Sequence, residues 1–334
     1  MKAYVLHQVN DLRYEDMEMP NCPQGWAIVK VKAAGICSSD IPRIFTKGTY
    51  HFPTIPGHEF AGIVEKVGDE KDCALIGQHV GVFPLIPCRG CEQCQEKHYE
   101  MCSDYDYIGS RRDGAFAEYV SAPIWNLIPL NEKIPFTSAA MLEPLSVALH
   151  AINLGKIREG YKVGIIGTGM IGIAAGLWAK RMKAKSVTVI GRSEDKRNLV
   201  ERCGLEYNVS YDCEYDFVLE AVGTPAAIES AIRITRPGGN LVLMGNPSGN
   251  ILLKQDVYWR ILRKQLCICG TWNSAYDEAN ASDWTDAVRA LTDGNIDVEA
   301  LITHYFPQEL LKDGLSLMRE KKEPYCKVMT IWNK

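Results

Sequence analysis

No apolar run in this chain is long enough to span a bilayer, and the opening Met1-Lys2-Ala3-Tyr4-Val5-Leu6 lacks the extended apolar stretch and small-residue cleavage site of a secretory leader. Excess charge of one sign is also missing. A formal net charge of −4 over 334 residues argues against nucleic-acid or polybasic membrane partners and favours small, weakly charged ones. Tandem repeats and low-complexity tracts are absent, which excludes an array architecture. The expectation is a cytoplasmic protein without nucleic-acid or membrane partners. In that setting its 12 cysteines are expected to remain thiols or to bind metal rather than to form disulfides.

The length suggests about two domains. From Met1 to about Pro144, short strands such as Trp26 to Val31, Gly62 to Val67 and His79 to Val82 alternate with Gly and Pro, so this region reads as irregular and β-rich. Helical spacing of Ala140, Leu145, Ala148, Leu149 and Ile152 marks a boundary before Gly155. Beyond it, Lys162 to Ile166, Ser186 to Ile190, Phe217 to Ala221, Leu241 to Met244 and Leu266 to Cys269 are compact apolar runs suited to buried parallel strands. A helix is expected from Asp283 to Leu291 and a last strand at Val328 to Trp332, in a stretch placed back with the first domain. The fold class is therefore α/β, a β-rich domain (1–150 and 276–334) with a doubly wound domain (151–275) set into it.

Strand Lys162 to Ile166 runs into Gly167-Thr168-Gly169-Met170-Ile171-Gly172 and then an Ala-rich helical stretch. In that context the glycines permit a tight turn, backbone approach to a pyrophosphate and close helix packing, so these residues are the expected dinucleotide cradle. At the end of the next strand, where NAD-binding domains usually place an acid, the chain has Gly191-Arg192-Ser193. Loss of that carboxylate, with Arg192, Ser193 and Arg197 able to donate to a 2′-phosphate, favours NADP over NAD.

Cys88, Cys91, Cys94 and Cys102 lie within one short segment, a spacing that closes around one structural ion in a lobe spanning 88–102. Four thiolates also suit iron and sulfur, but the short last gap and following proline of the usual cluster run are absent, so zinc is favoured. A second, open site is suggested by Cys37 in Gly35-Ile36-Cys37-Ser38-Ser39-Asp40, by His58 in Gly57-His58-Glu59, and by Glu143 before Pro144. Combined with a nucleotide domain these residues suit hydride transfer from an alcohol, which requires a polarised oxygen and removal of its proton.

In the order and approximate spacing of these motifs, the chain resembles the zinc-dependent medium-chain alcohol and polyol dehydrogenases over essentially its full length. The resemblance implies a GroES-like catalytic domain, a Rossmann domain, one catalytic and one structural zinc per chain, and a homodimer or homotetramer. By matched position it implies Cys37, His58 and Glu143 as catalytic zinc ligands, with Glu59 replacing or joining Glu143. Ser39 would relay the substrate proton and Asp40 would orient His58. Many alcohol dehydrogenases have a histidine where Pro42 stands, so water would complete the outward proton path. The nicotinamide edge would be lined by Val222, Gly223, Gly245, Asn246, Thr271, Trp272 and Asn273.

The runs Cys37 to Phe45, Tyr107 to Gly114 and Ile261 to Leu266 look like the branch of the family acting on sugar alcohols and their phosphates. A galactitol 1-phosphate-like substrate would meet Arg43, six positions after Cys37, and Arg111 or Arg112, whose guanidinium groups suit a phosphate. An unphosphorylated polyol such as sorbitol or xylitol is the alternative. A catalytically silent nucleotide-binding sensor is a third reading, opposed by the presence of every candidate ligand.

Overall fold

The computed structural model describes residues 1–277 and 280–332, which form two compact units. The first comprises Met1–Glu143, Ala275–Gly294 and Ile302–Lys334, and the second Pro144–Ser274 with Asn295–Leu301. The division falls at Glu143/Pro144, inside helix Leu142–Leu154, rather than at residue 150, and Asn295–Leu301 belongs to the second unit.

In the first unit a seven-stranded sheet is built around strand Trp26–Ile36, which pairs antiparallel with Glu59–Val67 on one side and Lys327–Ile331 on the other. Strand Ile302–Pro307 then adds parallel to Lys327–Ile331. Apolar residues of this framework, among them Val29, Val31, Ile36, Phe60, Val64, Phe116 and Leu315, form one buried core. The register sets Gly35 opposite Glu59 and Ile36 opposite Val328. Three separated sequence segments therefore bring strand ends together at one end of the sheet, immediately before Cys37, at His58–Glu59 and at Lys327.

The second unit has a six-stranded, all-parallel sheet. Its strands run in the order Glu206–Asn208, Ser186–Ile190, Lys162–Ile166, Tyr215–Glu220, Thr235–Leu243, Cys267–Gly270. Counted along the chain this is 3-2-1-4-5-6, the doubly wound order whose ligand crevice opens at the carboxyl ends of the strands where the order reverses. Burial on both faces explains the near-continuous apolar runs of its central strands. Strand Cys267–Gly270, expected to be buried, lies instead at the sheet edge with residues that are partly or fully exposed.

The helix Asp283–Thr292 starts where Ser282 and Thr285 form a reciprocal capping box. Among the described residues no helix is long and apolar enough to cross a membrane.

Candidate active site and metal centres

At the turn after Trp26–Ile36, the Cys37 thiol accepts from the Ser39 hydroxyl at 3.2 Å and from the Ser39 amide at 3.5 Å. Asp40, fully buried at the start of a short helical turn, accepts from the Cys37 amide at 3.0 Å and lies 3.5 Å from His58 Nδ1. One carboxylate thus fixes the cysteine backbone and faces the imidazole, whose Nδ1 is otherwise buried without a hydrogen-bond partner. Donor atoms of Cys37, His58 and Glu59 all lie within 4.8 Å of one another. Glu143 is not in that group of three; its carboxylate accepts from the Tyr107 hydroxyl at 3.3 Å, and the Tyr107 ring centroid lies 5.8 Å from that of His58.

Glu59 is ion-paired with Lys327, and both side chains are buried. Gly35 makes the room: a Cβ there would run into the Glu59 carboxylate. Sequence reading missed Lys327, which belongs to no motif and meets Glu59 across 268 positions, and missed the contact of Tyr107, which opens the run Tyr107 to Gly114 but reaches Glu143 only in the fold.

The cluster fits a cation. Burial disfavours a charged imidazole, yet Asp40 and Cys37 hold His58 well above its ordinary range. Likewise burial opposes a charged Lys327 ammonium, and Glu59 with Cys37 raises it all the same. Burial lifts the Glu143 carboxyl to about 7, with Glu59 adding to the effect and His58 opposing it. A divalent ion would relieve this crowding of negative groups.

The quartet is a closed centre by geometry. Cys88 and Cys94 sulfurs are 3.9 Å apart, as are those of Cys91 and Cys102. These separations are too long for disulfides and match the roughly 3.8 Å edge of a tetrahedron with zinc–sulfur bonds near 2.3 Å. Backbone amides of Ser103 and Cys94 lower the Cys91 thiol to about 6, whereas burial raises Cys94 to about 12. Four such thiols ionise together only around a cation. Next to the lobe, Arg89 lies 4.7 Å over the Trp125 ring and Tyr99 packs edge-on against it at 5.1 Å.

In the second unit, Gly167 has φ +126° and turns the chain into helix Met170–Arg181, capped at Gly169. A Cβ at Gly172 would collide with the Gly167 carbonyl, the close approach that only glycine allows. Thr168 and Ile171 complete this loop and first turn. After the fourth and fifth strands of the unit, Gly223 lies against Gly245 and Asn246, and the Thr271 amide donates to the Leu243 carbonyl at 3.1 Å. The loops carrying Val222, Gly245 and Thr271 to Asn273 therefore share the carboxyl edge of the sheet, with Trp272 exposed. Glu220, also missed from sequence, shapes this edge: its buried carboxylate accepts from the Val222 and Gly223 amides at 2.8 Å each.

The candidate ribose loop is less open than its sequence suggests. Arg197 is ion-paired with Glu194 and Glu201 and lies 4.9 Å over the Tyr207 ring, and the Ser193 hydroxyl donates to Asp195 at 2.9 Å. Arg192 is exposed and has no side-chain partner among the described residues.

A β-rich unit with two cation-seeking clusters and a doubly wound nucleotide unit define a zinc-binding dehydrogenase. Residues 23–132 match the alcohol dehydrogenase GroES-like domain and residues 171–293 the zinc-binding dehydrogenase family. The chain is 36% identical to galactitol 1-phosphate 5-dehydrogenase of Escherichia coli K12 over 83% of its own length and 84% of the relative's. It is 29% identical to sorbitol dehydrogenase of Bacillus subtilis 168, covering 100% of this chain and 98% of that one. The crystal structure of the Escherichia coli galactitol-1-phosphate dehydrogenase superposes with TM-score 0.91 at 33% identity, covering 99% of this chain and 100% of that chain. An Escherichia coli CFT073 protein described as a short chain alcohol dehydrogenase was solved with NADH (TM-score 0.90, 27% identity, 99% of each chain). A Sinorhizobium meliloti 1021 zinc-binding dehydrogenase was solved with NADP (TM-score 0.89, 25% identity, 99% and 98%). The chain belongs to the zinc-dependent medium-chain alcohol and polyol dehydrogenase family.

Proposed function

We propose that this enzyme interconverts a secondary alcohol of a sugar-alcohol phosphate, of the galactitol 1-phosphate type, with the corresponding ketose, using NADP in preference to NAD. The observation that carries the reading is the Cys37, His58 and Glu59 donor group with the Ser39 hydroxyl on the thiol. Cys37 and His58, with Glu59 or Glu143, would hold the zinc. When bound, the ion supplies Lewis acidity that makes a substrate hydroxyl easier to deprotonate near neutral pH. Asp40 keeps the imidazole oriented through Nδ1. Ser39 accepts the hydroxyl proton and passes it to water, since Pro42 offers no side-chain donor or acceptor. The carbon-bound hydrogen leaves with its electron pair for the nicotinamide, and the products are ketone, reduced cofactor and one proton.

The test is a set of initial rates with galactitol 1-phosphate and with sorbitol, each with NADP and NAD, repeated after chelation. Turnover is expected to be fastest with the phosphorylated alcohol and NADP and to vanish with the metal. Activity confined to free polyols would instead establish the unphosphorylated reading, which the full-length match to a sorbitol dehydrogenase supports. Chelator-resistant turnover would remove the zinc role. Within the same assay Arg192→Ala should lower the NADP-to-NAD preference by roughly 10- to 100-fold, the worth of one or two charge-assisted hydrogen bonds. An unchanged ratio would mean the loop does not read the 2′-phosphate. Arg192→Ala is cleaner than a carboxylate at Gly191, where a Cβ would collide with the Tyr207 hydroxyl.

The edge strand Cys267–Gly270, with exposed Tyr258, Trp259 and Leu262 on helix Gln255–Lys264, supports assembly into a homodimer or homotetramer. Sedimentation should give two or four chain masses, and Leu262→Glu should shift it toward one. A wild-type monomer at micromolar concentration would refute the assembly.

A further inference from the structure

The three arginines expected to meet the substrate are not equivalent. Arg112 donates from Nε and its terminal nitrogen to Asp106 at 2.9 and 2.7 Å and lies 4.7 Å over Trp26. Arg43 donates to buried Asp40 at 2.9 Å, the same carboxylate that holds His58. Each of these cations already has an anion.

Arg111 has none among the described residues. Its guanidinium lies between two tyrosine rings, 4.4 Å from the Tyr50 centroid and 4.4 Å from the Tyr105 centroid. Its hydrogen-bond partners are neutral groups, the Tyr105 carbonyl at 2.8 Å and the Tyr50 hydroxyl, and its Nε is buried without a partner. Asp113, the nearest carboxylate in sequence, accepts from the Ile55 amide at 2.9 Å, and Asp106 is taken by Arg112 and by the Tyr107 amide at 2.8 Å. The two rings neutralise none of its charge, and the fork's remaining N–H groups are the part that matches a planar or tetrahedral oxyanion.

The mounting is firm. The His51 ring bonds the Arg111 carbonyl at 3.0 Å, the Thr49 hydroxyl donates to the Ser110 carbonyl, and Gly109 and Arg112 close the turn at 2.8 Å. Its position follows from the aromatic chain. Tyr105 packs 6.1 Å from Tyr107, whose hydroxyl donates to Glu143 and whose ring adjoins His58. The guanidinium is therefore joined to the donor cluster through two tyrosine rings, in the same unit as the candidate metal ligands.

We infer that Arg111, clamped between Tyr50 and Tyr105, is the phosphate-binding and specificity-determining group of this site, while Arg43 and Arg112 serve the framework. The inference rests on the polyol-phosphate reading of the same site. It is tested on the zinc-replete enzyme with galactitol 1-phosphate and galactitol in wild type, Arg111→Gln, Arg111→Lys and Arg112→Gln. Arg111→Gln should raise KM for the phosphorylated alcohol by about 100-fold with kcat held within about threefold, because a lost charged contact acts on binding. The wild-type ratio of kcat/KM for phosphorylated over free alcohol should collapse accordingly, Arg111→Lys should restore part of it, and Arg112→Gln should leave it. Tyr50→Ala, at an exposed ring, should lower the ratio by about 5-fold through the lost cation–π contact and serves if Arg111→Gln melts early. A wild type that prefers the phosphorylated alcohol while Arg111→Gln and Tyr50→Ala keep that preference overturns this assignment alone. A wild type with no such preference overturns the polyol-phosphate reading and this assignment together.

Discussion

Cys37→Ser is expected to reduce alcohol oxidation by at least about a thousandfold, since Lewis-acid activation is worth several kcal/mol of transition-state stabilisation and each 1.36 kcal/mol is tenfold. Three observations make this position central. The thiol shares a donor group with His58 and Glu59, it accepts from the Ser39 hydroxyl, and its own amide is fixed by Asp40. The fold should survive, because Cys37 lies in a turn outside the buried core, and the glycine loop of the second unit is built from its own residues. NADP titration should therefore give a dissociation constant within about threefold of wild type, while metal analysis shows one zinc fewer per chain. Full turnover in a variant that still lacks that ion would sink the catalytic assignment. Loss of nucleotide binding along with activity would point to collapse of the fold instead.

The second large effect is on stability. Cys94→Ser should lower the melting temperature by roughly 10 °C, as several kcal/mol of metal-coupled folding energy are removed and each kcal/mol is worth a few degrees in a chain of this size. Cys94 is the buried member of the pair that faces Cys88 at 3.9 Å. Without it, three thiols would have to hold the ion, and the lobe has little else to hold it: its only α-helix, Glu92–Gln95, is one turn long. Release of the lobe would also uncover Trp125, against which Arg89 and Tyr99 pack. Thermal unfolding with and without chelator, zinc counting and limited proteolysis of 88–102 measure this together. Chelation should destabilise wild type more than Cys94→Ser. Equal melting temperatures and an undiminished zinc count would show that the quartet is merely a group of reduced thiols.

The features legible in the sequence are local ones. Strands Lys162–Ile166, Ser186–Ile190 and His79–Val82 coincide with apolar runs because their neighbours bury them, and the glycine loop carries its own reason for each glycine. Strand Glu206–Asn208 escaped notice because it lies at the edge of its sheet and only Tyr207 is buried. The candidate ligands were readable because short motifs carry them. The group that balances them was not: Lys327 is a lysine in an ordinary strand until the register of Lys327–Ile331 against Trp26–Ile36 sets it beside Glu59. Arg197 illustrates the reverse case. In sequence it was a free donor, and in the fold Glu194 and Glu201 claim it.

The pairing of Glu59 with Lys327 also imposes an order on synthesis. A ribosome delivers Cys37, His58 and Glu59 early, then the whole of residues 144–274, and only afterwards the lysine that neutralises Glu59. All six strands of the nucleotide unit's sheet are delivered while the first unit still lacks the strands that complete its own. Until they arrive, a carboxylate that ends in the interior has no lysine beside it, and the cost of burying an unpaired charge keeps it hydrated.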